Sequence, residues 1–308
     1  MIDHQNLPEI PLIRPPSEWR SMLVRITRGC KWNRCCFCGI YPHLGEPVFS
    51  IRTVQEIKND IDLLLHLRPR ADTVFLGDAD PLQAGIETIV TILDYLKKSS
   101  PLKRITTYAR ASTLKKFGRE NILTLAENGL SRVHIGLESG DPETLRYHRK
   151  GQSAKMITDI APWLKEAGIE TSFYVLLGLG GKTNWQRHII ETAKIINQTQ
   201  PEFIRLRRLW IYGENTPFGG PESPLIKKIR AGHFIPQTPE GTVLELKLLL
   251  EQLNSPATFL ACDHENNYVH VSGSLADDQK EMLDEVNAFL ARPEAERNAH
   301  YEKVGSKI

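Results

Sequence analysis

Cysteine is scarce in this chain, with five residues in 308. Scarcity at that level excludes a disulfide-built fold, which belongs to small secreted domains dense in paired cysteines. Long apolar runs are missing too. The longest candidate, Phe173 to Leu179, falls far short of the ~20 residues that a membrane-spanning helix requires. Neither sign of charge is in excess: 39 Lys and Arg stand against 37 Asp and Glu, a net +2. No face is dedicated to nucleic acid by that balance. The opening residues, Met-Ile-Asp-His-Gln-Asn, carry neither a basic n-region nor an apolar h-region, so the expectation is a cytoplasmic protein with reduced thiols. Heptads, low-complexity tracts and short repeats are absent. A hydrophobic content of 41 % supports one large domain, or one with a small appended domain.

Against that scarcity, four of the five cysteines fall between positions 30 and 38. Cys30, Cys35 and Cys38 are spaced Cys-x4-Cys-x2-Cys, with Cys36 as an extra thiol and Phe37 directly before the last. A structural zinc site needs four closed ligands, usually from two paired knuckles. Only one Cys-x2-Cys pair exists here, and His43 or Cys36 would complete a set only in a cramped geometry. Three thiolates can instead hold three irons of a 4Fe–4S cube and leave the fourth iron open. Neighbouring residues of an extended loop point in opposite directions, so Cys35 and Cys36 do not both reach one cube. Cys36 is expected outside the ligand set.

Along the chain, a Pro-rich arm (residues 1–20) precedes an alternation of β-rich runs and helical periodicity. The runs are Met22–Thr27, Thr73–Gly77, Arg104–Ala109, Arg132–Leu137, Ile169–Leu177 and Phe203–Trp210. Thr53-Val-Gln-Glu56 is a capping box, Asp141-Pro142 pairs an N-cap with a first-turn proline, and Leu179–Asn184 opens a further helix. Six strand–helix units predict an α/β fold with a parallel sheet. Periodicity alone leaves a doubly wound sheet and a partial barrel open. Residues 212–224 read as a Gly/Pro-rich linker, followed by a Leu-rich helix (239–253), a short strand (257–261) and a last helix (276–290).

The cysteine loop resembles the cluster-binding loop of the radical S-adenosylmethionine superfamily, in a variant whose first two cysteines are four residues apart; the more usual spacing is three. The resemblance covers residues 20–212. It implies a partial (βα)6 TIM-like barrel over 21–212, and residues 213–308 are expected as an α/β extension covering the barrel mouth. It further implies a 4Fe–4S cluster on Cys30, Cys35 and Cys38, and S-adenosylmethionine as the second cofactor. A flavodoxin- or ferredoxin-type electron donor is implied as partner. In that family a reduced cluster cleaves S-adenosylmethionine to methionine and a 5′-deoxyadenosyl radical. A cobalamin domain before the barrel is not expected; nor is a second cluster, since only Cys262 follows Cys38.

Several strand ends carry candidate site residues. Phe75-Leu-Gly-Asp-Ala-Asp-Pro81 resembles, with substitutions, the family's Gly-Gly-Glu segment. Gly77 would allow close approach, and Asp78 or Asp80 would accept from an ammonium; a strand-ending turn explains the same residues. Ile135-Gly-Leu-Glu-Ser-Gly-Asp-Pro142 resembles the Gly-x-Glu-Ser-Gly segment of the branch with coproporphyrinogen-oxidase-like and cobalamin-type enzymes. Glu138 and Ser139 suit polar groups of the cofactor, although Ser139 and Asp141 also suit a helix cap. Arg110 and Arg205 are candidates to clamp the cofactor carboxylate or an anionic substrate, with internal ion pairing as the alternative. Arg207 shares a strand face with Arg205, while Arg208 points the other way. Gly178 would let the backbone approach the adenine. His264, in Cys262-Asp-His-Glu-Asn-Asn-Tyr268, is a candidate proton donor or acceptor, although a hairpin turn also accounts for the segment.

The leading expectation is an enzyme that abstracts hydrogen from an organic substrate. A haem or cofactor carrier on the same fold is the alternative. An iron–sulfur module for nucleic acid is disfavoured by the near-zero net charge.

Overall fold

The computed structural model describes residues 7–11, 13–213 and 221–305. Residues 1–6 and 12 of the expected arm, and 214–220 of the expected linker, lie outside them. The strands are β1 (Met22–Arg25), β2 (Thr27–Arg28), β3 (Ser50–Ile51), β4 (Thr73–Gly77), β5 (Arg104–Ala109), β6 (Leu130–Glu138), β7 (Glu170–Leu177), β8 (Phe203–Arg208), β9 (Phe259–Cys262) and β10 (Val271–Ser274). The helices are α1 (Ile40–His43), α2 (Val54–Leu67), α3 (Ile86–Ser99), α4 (Ala111–Glu127), α5 (Pro142–Tyr147), α6 (Ala154–Glu166), α7 (Gly181–Thr199), α8 (Pro224–Arg230), α9 (Pro239–Gln252), α10 (Gln279–Leu290) and α11 (Glu294–Gly305).

Two compact units divide the chain. The first takes the described residues within 1–33, 40–135 and 162–171. Its parallel strands run in the order β1, β4, β5 and the first part of β6, with Met22 opposite Val74 and Val74 opposite Ile105. Strands covered on both faces need apolar side chains throughout, and Val74, Phe75 and Leu76 are fully buried. The capping box at Thr53 is present: Glu56 N–H donates to Thr53 Oγ1 (3.2 Å), and the Glu56 carboxylate accepts from Thr53 N–H (2.7 Å). It starts α2, which buries Ile57, Ile61 and Leu64 at helical spacing. The first strand ends earlier than the apolar run suggests. Ile26 N–H still donates to Gly77 O (2.6 Å), but Thr27 and Arg28 leave to pair antiparallel with Ile51 and Ser50.

The second unit takes the described residues within 34–39, 136–161 and 172–308. Its strands follow in the order β6 (from Gly136), β7, β8, β9 and β10. Tyr174 faces Arg205 and Leu176 faces Arg207 in parallel register; Arg205 also faces Ala261. β9 thus extends the parallel set, and β10 closes it antiparallel, Val271 opposite Cys262. Helix α9 buries Val243, Leu246, Leu249 and Leu250 beside α7. The expected strand at 257–261 is seen as β9, two residues later, and α10 begins at Gln279. None of the described helices is long and apolar enough to cross a membrane.

Candidate functional site

The cysteine loop is shaped by its neighbours in sequence. Gly29 has φ +71°, and a Cβ there would meet Val48 O at 2.8 Å, so glycine is required. Asn33 N–H points at Cys30 Sγ (3.4 Å), the kind of contact that tunes a metal-bound thiolate. Cys30, Cys35 and Cys38 are partly exposed, whereas Cys36 is buried. Cys36 is held from both sides: its N–H donates to His148 O (2.8 Å) and its carbonyl accepts from Leu225 N–H (2.9 Å). Its thiol turns to Tyr147 O (3.8 Å). Phe37 joins Leu179, Leu209, Leu225 and Phe234 in an apolar cluster against which Cys35 and Cys38 rest. The side chain before the last cysteine therefore serves as a wall, edge-on to His148 at 5.7 Å. Among the described residues, no three His, Cys, Asp or Glu side chains converge as ligands of a single metal ion. A cube differs in kind, because each thiolate takes its own iron and the three need not meet at a point.

The two aspartates after β4 have separate roles. Asp78 is fully buried; it accepts from Arg25 Nε at 2.7 Å, and Arg25 Nη2 stands at ion-pair distance, also 2.7 Å. Arg25 also reaches Glu9 (2.8 Å) and Glu46 (3.1 Å). Asp80 accepts from Thr113 Oγ1 (2.5 Å) and Gln83 Nε2 (3.1 Å) through Oδ2, while its buried Oδ1 meets no hydrogen-bond partner among the described residues. Burial pushes the Asp80 carboxyl up to about 6, against the pull of Thr113, Gln83 and the nearby Arg110. Gly77 has no room for a side chain, because Pro11 fills the Cβ position. Arg110 precedes α4, with its Nε near Ser112 Oγ (3.3 Å) and its guanidinium 5.0 Å from the Trp32 ring centre.

At the end of β6, Glu138 adopts φ +62° and pairs with Lys150 (2.7 Å), both side chains nearly buried. The pair lies over Gly136, where a Cβ would collide with Glu138 Oε1. Ser139 sits in a hydrogen-bond chain. His188 Nε2 lies 3.0 Å from Leu176 O, an acceptor only, so Nε2 carries the proton. Burial lowers this imidazole to about 4 and keeps it neutral. Nδ1 therefore accepts from the Ser139 hydroxyl (2.7 Å), whose oxygen accepts from Asp141 N–H (3.0 Å). Asp141 caps α5 through Thr144 N–H (2.9 Å). Ser139 is thus engaged in holding the turn that presents Glu138.

Gly178 has φ +87°, and its N–H donates to the Glu245 carboxylate at 2.5 Å. Arg205 and Arg207 share one face of β8, and Arg208 donates on the other to Asn266 O (2.6 Å). His264 Nδ1 lies 2.7 Å from Asn266 Oδ1. Asn266 and Asn267 in turn donate to Arg208 O and Leu206 O, both at 3.0 Å. Asn266 and Asn267 tie the β9–β10 connection to β8. Lys150, His148, His188 and Glu245 belong to no motif. Their partners are 12 to 67 residues away, so only a strand-order argument from the sequence would have paired them.

No curated protein matches the chain in sequence. Solved structures match in fold. A radical S-adenosylmethionine methyltransferase, TsrM from Kitasatospora setae with tryptophan and a S-adenosylmethionine analogue bound, is similar at 18 % identity and TM-score 0.54, over 68 % of this chain and 38 % of that one. Elp3 from the archaeon Methanocaldococcus infernus is similar at 14 % identity and TM-score 0.51, over 78 % and 59 %. The cobalamin-dependent S-adenosylmethionine radical enzyme OxsB, with cobalamin and S-adenosylmethionine bound, is similar at 15 % identity and TM-score 0.50, over 94 % and 46 %. The chain spans less than two thirds of the length of each. These likenesses carry the fold: α/β, of the partial (βα)6 barrel type expected from the sequence. The Radical SAM superfamily model matches residues 24–193, more than half of the sequence, and the chain belongs to the radical S-adenosylmethionine superfamily.

Proposed function

We propose that this protein is a radical S-adenosylmethionine enzyme that binds one 4Fe–4S cluster through Cys30, Cys35 and Cys38 and abstracts hydrogen from an organic substrate. The observation that carries the reading is the sorting of thiols: three partly exposed, and Cys36 buried with its backbone strapped on both sides. That donor set fits a cube with one open iron. When bound, the cluster supplies the electron that cleaves S-adenosylmethionine, delivered by a flavodoxin- or ferredoxin-type donor.

The chain's own residues bind, orient and exclude water. Asp80 Oδ1, a buried acceptor with no hydrogen-bond partner among the described residues, suits the amino group of S-adenosylmethionine, and an ammonium there would hold the carboxyl ionised. Asp78 serves the fold through Arg25. Glu138, fixed by Lys150 and by the Ser139–His188 chain, suits hydroxyl groups of the cofactor. Gly178, Arg110 and His264 remain candidate contacts. Phe37, Leu225 and Phe234 form apolar cover next to Cys35 and Cys38, which supports the reading of residues 213–308 as a cover for the reactive centre.

The test is anaerobic incubation of reconstituted protein with reductant and S-adenosylmethionine. The expected product is 5′-deoxyadenosine in excess over protein. Bound S-adenosylmethionine without any 5′-deoxyadenosine would contradict an enzyme and favour a carrier.

A further inference from the structure

Arg205 and Arg207, partly buried on one face of β8, are unlike several other arginines of the chain. Arg25 and Arg52 have carboxylate partners, Arg132 pairs with Glu170, and Arg208 donates to a carbonyl. Arg205 Nε and Arg207 Nη1, by contrast, are shut off from solvent and meet no acceptor among the described residues. Their guanidinium groups lie near rings, Arg205 at 5.7 Å from the Phe203 centre and Arg207 at 5.8 Å from the Tyr174 centre. A ring face attracts a cation but offers no lone pair to an N–H fork.

Placement makes the two act together. Residues two apart on a strand project to one side about 7 Å apart. Arg205 lies opposite Tyr174 and Arg207 opposite Leu176, so both stand over the same stretch of β7. Two neighbouring like charges, each with a buried N–H that meets no acceptor among the described residues, oppose folding. An anion between them satisfies both forks at once. We propose that Arg205 and Arg207 form a clamp for a carboxylate or phosphate group of the substrate. Naming that ligand as substrate rests on the radical-enzyme reading; the anion binding itself does not.

Malonate and inorganic phosphate serve as probes, titrated calorimetrically at low salt into the full chain with its cluster reconstituted. Wild type is expected to bind at least one, and the tighter of the two identifies the class, carboxylate or phosphate. R205Q/R207Q should bind at least about tenfold more weakly. R205K/R207K keeps the charge without the fork and should fall between. Without a probe, R205Q/R207Q should melt at or above the wild-type temperature, since it loses two unpaired charges. A merely structural role for the arginines would lower it. The KM for S-adenosylmethionine in substrate-free cleavage should be unchanged in R205Q/R207Q. Absence of binding by wild type up to millimolar probe, equal binding by the Gln variant, or a tenfold rise in that KM would each overturn the clamp. The last would mean that the arginines hold the cofactor. Should wild type make no 5′-deoxyadenosine at all, the radical reading fails while the probe titrations still decide the clamp.

Discussion

Replacing Asp78 and Asp80 separately by asparagine should give opposite results, although the two stand two residues apart. Asp78 is fully buried against an Arg25 side chain with only 4 % exposure. Breaking a buried ion pair from one side costs about 3–5 kcal/mol. Glu9 and Glu46 still contact Arg25, so the expected loss for D78N is near the lower figure, about 3 kcal/mol. Asp80 is burdened by its own charge. Its carboxyl is raised from 3.8 to about 6, roughly two units, or about 3 kcal/mol at neutral pH. The sign follows from proton binding. Between those two values the folded state holds the proton more tightly than the unfolded chain, so stability is fully present below pH 3.8 and is lost as pH rises through about 6. D80N escapes that loss and forfeits about 1 kcal/mol from weaker bonds to Thr113 and Gln83. At pH 7 it should be as stable as wild type or up to about 2 kcal/mol more stable. Its affinity for S-adenosylmethionine should fall by about 10- to 150-fold, the cost of one charge-assisted bond. Urea unfolding at pH 5 and 7, with equilibrium binding of S-adenosylmethionine, measures both quantities. D80N as unstable as D78N, or unchanged cofactor affinity in D80N, would refute the division of labour.

Two further outcomes follow from the same geometry. Burial raises Glu245 from 4.5 to about 7 despite the donors Gly178 N–H and Gln237, so its contribution to stability is present below pH 4.5 and lost as pH rises through about 7, about 3 kcal/mol in all. E245Q should flatten that part of the stability profile in urea titrations at pH 5 and 8, and equal slopes in both proteins would contradict the assignment. Gly136→Ala should displace the Glu138–Lys150 pair, because the new Cβ collides with Glu138 Oε1; cofactor affinity should drop as in E138Q, with iron content retained, and wild-type affinity in both variants would remove Glu138 from the site.

Much of this architecture was legible in the sequence for physical reasons. Parallel strands buried on both faces leave continuous apolar runs, and β4 and β7 were found where such runs occur, in residues 74–76 and 173–177. The Thr53 and Asp141 caps were visible because capping is local chemistry between residues three apart. The elements that were not legible lack a local signal. β10 is Val-Ser-Gly-Ser with only Val271 apolar, and it exists through pairing with β9. α11 buries only Tyr301 and Val304. The cysteine spacing was plain, but the partner of Asp78 lies 53 residues away and that of Ser139 lies 49 away. Such pairs form through strand order, which no nearby residue encodes. The Cys262–Tyr268 segment, which carries the candidate His264, spends Asn266 and Asn267 on the end of β8.

The most direct test of the central claim is iron and sulfide content after anaerobic reconstitution of four single variants, C30A, C35A, C36A and C38A. Wild type and C36A should each hold about four irons and four sulfides per chain, with the charge-transfer absorbance of a 4Fe–4S centre. C30A, C35A and C38A should lose most of both, while remaining folded by circular dichroism. Full cluster content in C35A together with loss in C36A would contradict the ligand assignment and the account built on it.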